Sequence, residues 1–187
     1  MAHITLPAAG TGDTTPQVSV LWDGGEAVQS VRAGQIRRVQ VTPTITASSA
    51  YSPGYAVGGM MDFASPGRLA TQGYGSIISR GLIRGLSILD RDSQNRRLEL
   101  ALFSQVFTAS TDHTTFAIGS SDWPNLLAVI PIEEWRTFSG GSMGQTLNLA
   151  IPFVATGSDL FGQLMTWEAP TWQTTASLIV SLLVESE

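Results

Sequence analysis

The chain has neither cysteine nor lysine in its 187 residues. Without cysteine, a disulfide framework and a thiolate metal centre are excluded. Without lysine, all ten basic residues are arginine: Arg32, Arg37, Arg38, Arg68, Arg80, Arg84, Arg91, Arg96, Arg97 and Arg136. GC-rich coding produces such a bias, and so does a preference for bidentate interface contacts. Charged residues make up 13%, about half the usual share. A surface so poor in charge relies on Ser, Thr, Gln and Gly for solubility, and it suits a protein largely covered by partners. The net charge of −5 argues against a nucleic-acid partner, which calls for a basic face. No stretch approaches the ~18 apolar residues of a membrane-spanning helix. Met1-Ala2-His3-Ile4 is not a basic segment leading into an apolar run, so no signal peptide is expected.

A chain of this length can bury roughly 70% of its unfolded surface and needs no staple to fold. Residues 1–16 hold Pro7, Gly10, Gly12 and Pro16 in a Thr/Ala/Gly background, which reads as a flexible N-terminal arm. That arm is either simply disordered or ordered against a neighbouring subunit. Residues 17–187 read as one β domain. Val18–Trp22 and Ala27–Val31 flank Asp23-Gly24-Gly25, a hairpin signal. Ile36–Thr46 alternates as a strand, with Pro43 implying an edge or a bulge. Tyr55–Phe63 is a strand interrupted at Gly58-Gly59, where a bulge or a close backbone approach is expected. Ile77–Leu89 has partly helical spacing, but Gly81 and Gly85 each weaken a helix by about 1 kcal/mol, so a twisted strand is expected. Further strands are expected at Leu98–Phe107, Ile132–Trp135, Gln145–Ala155, Leu160–Trp167 and Ala176–Val184. The last is apolar on both faces and is expected to be covered on both. The single helical candidate starts at Asp122, with Pro124 in its first turn, and ends near Val129 before Pro131. About nine or ten short strands and one short helix predict an antiparallel β-sandwich, jelly-roll-like.

Four patterns could carry chemistry. Gly140-Gly141-Ser142-Met143-Gly144 fits the nucleophile elbow G-x-S-x-G, which needs a strand before it and a helix after it. Here Gln145–Ile151 alternates as a strand, so a glycine-rich loop between strands is expected, and a serine esterase on Ser142 and His113 remains the enzymatic alternative. Asp112-His113 are adjacent, and neighbours on a strand point apart, so a loop tip is expected rather than a triad. Asp90-x-Asp92-x-Gln94 resembles the start of a calcium loop, but Asn95 stands where glycine belongs and Ala101 where glutamate belongs. A hairpin turn is expected there. Glu133-Glu134 offers no partner for acid/base work. No glycine-rich segment follows a strand and opens a helix, so no phosphate cradle and no cofactor is expected.

The tryptophans stand at 22, 123, 135, 167 and 172. Trp167-x-Ala169-Pro170-x-Trp172 could form an aromatic platform for a sugar; packing at a sandwich end or a subunit contact explains it as well. Trp22, Trp167, Trp172, Arg37 and Arg38 are the candidate interface residues.

The order of several segments resembles a known family. These are Val41–Ile45, Ser49–Gly59, Gly81–Ile83, Leu86–Gln94, Leu98–Phe103, Asp112–Phe116 and Trp123–Ile132, spread over most of Val18–Glu187. Together they resemble small tailed-bacteriophage virion proteins of the head-decoration, or cement, type; Val18–Gln40 departs most from that pattern. The resemblance implies a β-sandwich without catalytic residues, assembled as a homo-oligomer, with a trimer expected from capsid symmetry axes. It implies binding to the major capsid protein on the exterior of the virion, after synthesis in the host cytoplasm, with no membrane or nucleic-acid partner. The alternative within the same particle is a tail- or fibre-associated protein that binds a host surface glycan.

Overall fold

The computed structural model describes residues 21–23, 26–28, 35–63, 80–155 and 159–186. The expected arm at 1–16 lies outside them. The chain divides into two compact units, Met1–Ala33 and Gly34–Glu187. In the first, β1 (Leu21–Asp23) pairs antiparallel with β2 (Glu26–Val28), with Asp23 opposite Glu26. This is the hairpin expected at Asp23-Gly24-Gly25.

In the second unit the strands are β3 (Gln35–Val41), β4 (Tyr55–Phe63), β5 (Arg80–Asp90), β6 (Leu98–Phe103), β7 (Leu126–Ile132), β8 (Trp135–Phe138), β9 (Gly141–Val154), β10 (Leu160–Thr166) and β11 (Leu178–Ser186). They form two antiparallel sheets, one ordered β4-β10-β6-β7 and the other β3-β11-β5-β9-β8. Without β8, these are the two four-stranded sheets of a jelly roll, in which most connections cross from one sheet to the other.

Alternation explains the core. Ile83, Leu86 and Ile88 of β5 and Val180, Leu182 and Val184 of β11 turn inward from one sheet. Leu98, Leu100 and Leu102 of β6, Ile130 and Ile132 of β7 and Leu164 of β10 meet them from the other. Each such side chain contributes roughly 1.5–3 kcal/mol when fully buried. On β11 the face carrying Leu178 and Val180 is buried, whereas Ile179 and Leu183 on the opposite face are only half-buried. Ser181 on that second face is fully buried, so the expected covering on both sides holds in part.

Three other expectations change. The helix at Asp122–Val129 is one 3-10 turn, Trp123–Asn125, and Leu126 onward is strand β7. The Asp122 side chain makes no cap hydrogen bond. An open ladder on β6 and the alternation of Ile130 and Ile132 into the core win over helix propensity. Pro131 is tolerated because β7 is a sheet edge. Pro43 lies beyond the end of β3 rather than within it, and of the two expected alternatives the edge holds, since β3 is an edge strand, and the bulge does not. Ile132–Trp135 is not one strand: Glu133-Glu134 is the crossing from β7 in one sheet to β8 in the other.

The bulge expected at Gly58-Gly59 is present as a register shift opposite Gln163 of β10. Gly58 has φ +73°, and a Cβ there would meet the Pro43 Cβ at 2.8 Å, so both backbone conformation and space demand glycine. Beyond β6, Ser104–Ser121 packs against the outer face of the four-stranded sheet. Its Phe107 stacks on Phe103, with ring centroids 3.9 Å apart. Phe116 and Ile118 complete a second apolar cluster over Ala101 and Phe161.

Candidate functional site

Ser142 lies inside β9, hydrogen-bonded into the sheet between Asp90 of β5 and Thr137 of β8. The loop expected over residues 140–144 is therefore confined to the turn ending at Gly140, and Gly141 already belongs to the strand. The glycine at 144 has a packing cause: a Cβ there would lie 2.3 Å from Ile132 and 3.1 Å from the Trp135 ring. Ser142 is fully buried and its hydroxyl has no hydrogen-bond partner, so no base activates it. The structure does not bring Ser142 and His113 together.

His113 instead sits in the left-handed region, with φ +61°. Its Nε2 is 2.9 Å from the Ala50 carbonyl oxygen and 3.3 Å from Ser49 Oγ. A carbonyl only accepts, so Nε2 carries the hydrogen and cannot take a proton from Ser49. Asp112 does not orient this ring. Its Oδ1 accepts from the Tyr51 hydroxyl at 2.8 Å and from the Gly58 amide at 2.6 Å. Its Oδ2 accepts from the Thr46 hydroxyl at 2.7 Å. Burial, followed by the Asp112 hydrogen bond, holds the Tyr51 phenol well above its ordinary pKa, so it remains a donor. Asp112 is thus an anchor tying Ser104–Ser121 to β4 and to the segment before it.

A second anchor was not legible in the sequence. Gln163 is fully buried on the outward side of β10. Its Nε2 donates to the Gly58 and Ser110 carbonyls at 2.7 and 2.6 Å, and its Oε1 accepts from the Ser110 amide at 3.0 Å. Asp122 adds a third anchor by accepting from the Thr108 amide at 3.1 Å.

The Asp90–Asn95 segment is the expected turn. Asp90 Oδ1 accepts from the Asp92 amide at 3.0 Å and Oδ2 from the Gln94 amide at 2.8 Å. Burial raises the Asp90 carboxyl above the usual range, while these amide bonds pull it back down. Asp92 is engaged by the Gln173 amide at 2.7 Å and by the Ser177 hydroxyl. Among the described residues, no group of three or more His, Asp or Glu side chains converges to hold a metal ion.

The tryptophans part company. Trp172 is 0% exposed, edge-on to Tyr51 at 5.1 Å. Trp167 is 45% exposed, with the Arg97 guanidinium 6.0 Å from its ring centroid. The two rings do not share a solvent-facing platform. Trp22 pairs with Ala27 in the separate hairpin. Arg37 and Arg38 lie on β3 opposite Val184 and Leu183, and Arg38 donates to Ser181 Oγ at 3.1 Å.

The surface that stands out is the outer face of the five-stranded sheet. Register places Ile36 beside Glu185, Arg38 beside Leu183, Leu183 beside Gly85, and Gly85 beside Leu147. Beyond a polar row of Gln40, Ser181, Ser87 and Gln145, a second apolar row follows of Ile179, Leu89 and Met143, continued by Arg136 on β8. Arg80 pairs with Val154 at one end. Ile36 is 64%, Leu147 50% and Val154 71% exposed, and none of these apolar side chains belongs to either apolar cluster. The signal visible in the sequence was the apolar second face of β11. Its continuation across β5 and β9 depends on register.

No protein-family model matches the chain, and none of the curated proteins matches it in sequence.

Proposed function

We propose that this chain is a structural protein of a tailed-bacteriophage particle: a head-decoration protein that binds the outside of the major capsid protein lattice as a homo-oligomer and stabilises the head. The observation that carries this reading is the outer face of the five-stranded sheet, where two sets of apolar side chains edged by arginine flank a polar row of Gln40, Ser181, Ser87 and Gln145. Met and Arg are enriched over Lys and Asp/Glu at interface surface, and Met143, Arg38 and Arg136 lie on this face. The polar groups that could have served catalysis support the same reading, because Ser142 is sealed in a sheet and Asp112 and Asp90 hold loops in place. The jelly-roll path is shared by viral capsid domains, lectins and cupins; it agrees with the reading by analogy only. The segment order described above adds the phage particle and the head. A glycan platform on Trp167 and Trp172 loses its support because Trp172 is in the core.

The test is the particle itself. In purified heads the chain is expected at a copy number set by the capsid lattice, and electron microscopy is expected to place it on the outer surface. Recovery with tails alone would overturn the proposal.

A further inference from the structure

A sheet has edges as well as faces, and an edge strand offers a row of unpaired N–H and C=O groups that another chain can join. Among the described residues the two sheets end in four such strands, and three of them are blunted. On β4 the chain closes its own ladder. The Ala56 amide donates to the Thr114 carbonyl at 2.8 Å, the His113 amide donates to the Ala56 carbonyl at 3.0 Å, and the bulge at Gly58 breaks the strand beyond them. On β7 Pro131 removes a donor, and the register shifts between Leu102 and Phe103 of the adjoining β6. β8 is only four residues long. β3 has none of these protections. Its seven residues contain no proline and pair with β11 from Gln35 to Val41 without a register shift. At about 3.3 Å per residue this edge runs for about 23 Å, and about half of its backbone groups point away from β11.

Side-chain charge selects what joins that edge. Arg37 and Arg38 are neighbours on β3, so they project from opposite faces of the sheet. Arg37 is half-buried and Arg38 exposed. Arg38 donates to Ser181 Oγ at 3.1 Å, which engages one of its five N–H groups. A side chain directly opposite on an added strand stands about 5 Å away, within reach of a guanidinium. A carboxylate is favoured there and a cation is rejected. A second copy of β3 is rejected for the same reason. Arg38 is the middle residue of the strand, and antiparallel pairing of two such edges about their centres would set Arg38 against Arg38.

We infer that the open edge of β3 is a docking site for an extended acidic segment of a partner protein, which adds as a further strand with its carboxylates against Arg37 and Arg38. Backbone hydrogen bonds along the edge supply the attraction, and the two arginines supply the selection. The inference concerns the edge and not the outer face of the sheet. It stands whether or not the partner is a capsid protein, and binding to heads is judged by a separate experiment.

Two measurements on the purified full-length chain test it. Amide hydrogen exchange of the protein alone is expected to show alternate amides of Gln35–Val41 exchanging as exposed ones; uniform protection of that stretch would mean the edge is already covered and would overturn the inference. Fluorescence anisotropy then follows a labelled peptide of Thr and Val with two adjacent glutamates at its centre. Saturable binding is expected, weakening as salt rises. Replacing the two glutamates by arginine is expected to weaken it roughly tenfold or more. N-methylation of one alternate set of the peptide's amides is expected to abolish binding, and of the other set to spare it, because only one side of an added strand faces β3. On the protein, Arg38→Glu is expected to reverse the preference in favour of the arginine peptide, and Val129→Glu on β7 to change nothing. Circular dichroism checks that both variants fold; should Arg38→Glu fail to fold, the peptide comparisons on the parent chain decide alone. Absence of binding overturns the inference, as does binding indifferent to the peptide's charge or to both methylation patterns. Dimerisation of the chain alone that Arg38→Glu alters would make the occupant a second copy and would also overturn it.

Discussion

The outer faces of the two sheets form a comparison within one molecule. On the four-stranded sheet, the segment between β6 and the 3-10 turn closes over Ala101, Phe103 and Phe161. That covering segment is held by side chains that engage backbone: Gln163 grips Ser110 and Gly58, Asp112 grips Gly58, and Asp122 grips Thr108. On the five-stranded sheet, residues of the same apolar kind stay in contact with water, edged by arginine. An apolar sheet face therefore does not decide whether it becomes core or contact surface. The decision lies with a segment that must satisfy its own backbone polar groups before it can cover anything.

Substitutions on the two faces separate these roles, the largest effect first. Phe103→Ala removes the ring stacked on Phe107 from a fully buried site, and chemical denaturation is expected to show a loss of about 4 kcal/mol. A loss below about 1 kcal/mol would mean that the second cluster is not a true core. Gln163→Leu keeps the volume but leaves the Gly58 carbonyl and both backbone groups of Ser110 without their partner, for an expected loss of about 3 kcal/mol. Limited proteolysis of that variant is expected to cut first within Ser104–Ser121; cutting elsewhere would detach Gln163 from the covering role. On the opposite face, Leu147→Gln is expected to change the stability of the isolated chain by no more than about 0.5 kcal/mol, because the side chain is half-exposed already. A large loss would show that this face is folded core and would end the contrast.

The smallest expected effect is a pH dependence. Burial disfavours the charged Asp90 carboxylate, so its folded-state pKa lies above the ordinary 3.8. The folded protein therefore holds this proton to higher pH than the unfolded chain does. The stability associated with it is fully present below the ordinary value and is lost as pH rises through the raised one. Asp90→Asn keeps an acceptor for the amide bonds and removes the ionisation. Its stability relative to the parent chain is expected to improve as pH rises through the acid range, measured by thermal unfolding at a series of pH values. A relative stability independent of pH would show that the amide bonds fully offset the burial.

Much of the fold was legible because period-two alternation is local. β4, β5, β10 and β11 lie where runs of β-branched and apolar residues predict them, and the Gly58 bulge lies where paired glycines interrupt a strand. The failures came where a tertiary partner outweighed a local signal. Pro124 behind Asp122 promised a helix, yet the ladder on β6 draws Leu126–Ile132 into the sheet. Gly140–Gly144 looked like a loop, yet Gly144 is small because Ile132 and Trp135 press against it. Trp167 and Trp172 looked alike in sequence, five residues apart, and the chain turns one outward and the other into the core. Gln163 gave no signal at all, since a lone glutamine in a strand looks the same whether it faces water or grips two carbonyls.

Composition and alternation alone decide that this chain is a β protein without thiol chemistry, with a full apolar core and little charge, because those properties depend on which residues are present and on their neighbours along the chain. The pairing of strands into two jelly-roll sheets, the burial of Ser142, the use of Asp112 and Gln163 as anchors and the covering of the middle of one sheet's outer face by Ser104–Ser121 are decided only in three dimensions. Each depends on which distant backbone a side chain meets. A one-residue change in register, which the local sequence barely resists, would exchange the buried face of a strand for its exposed one.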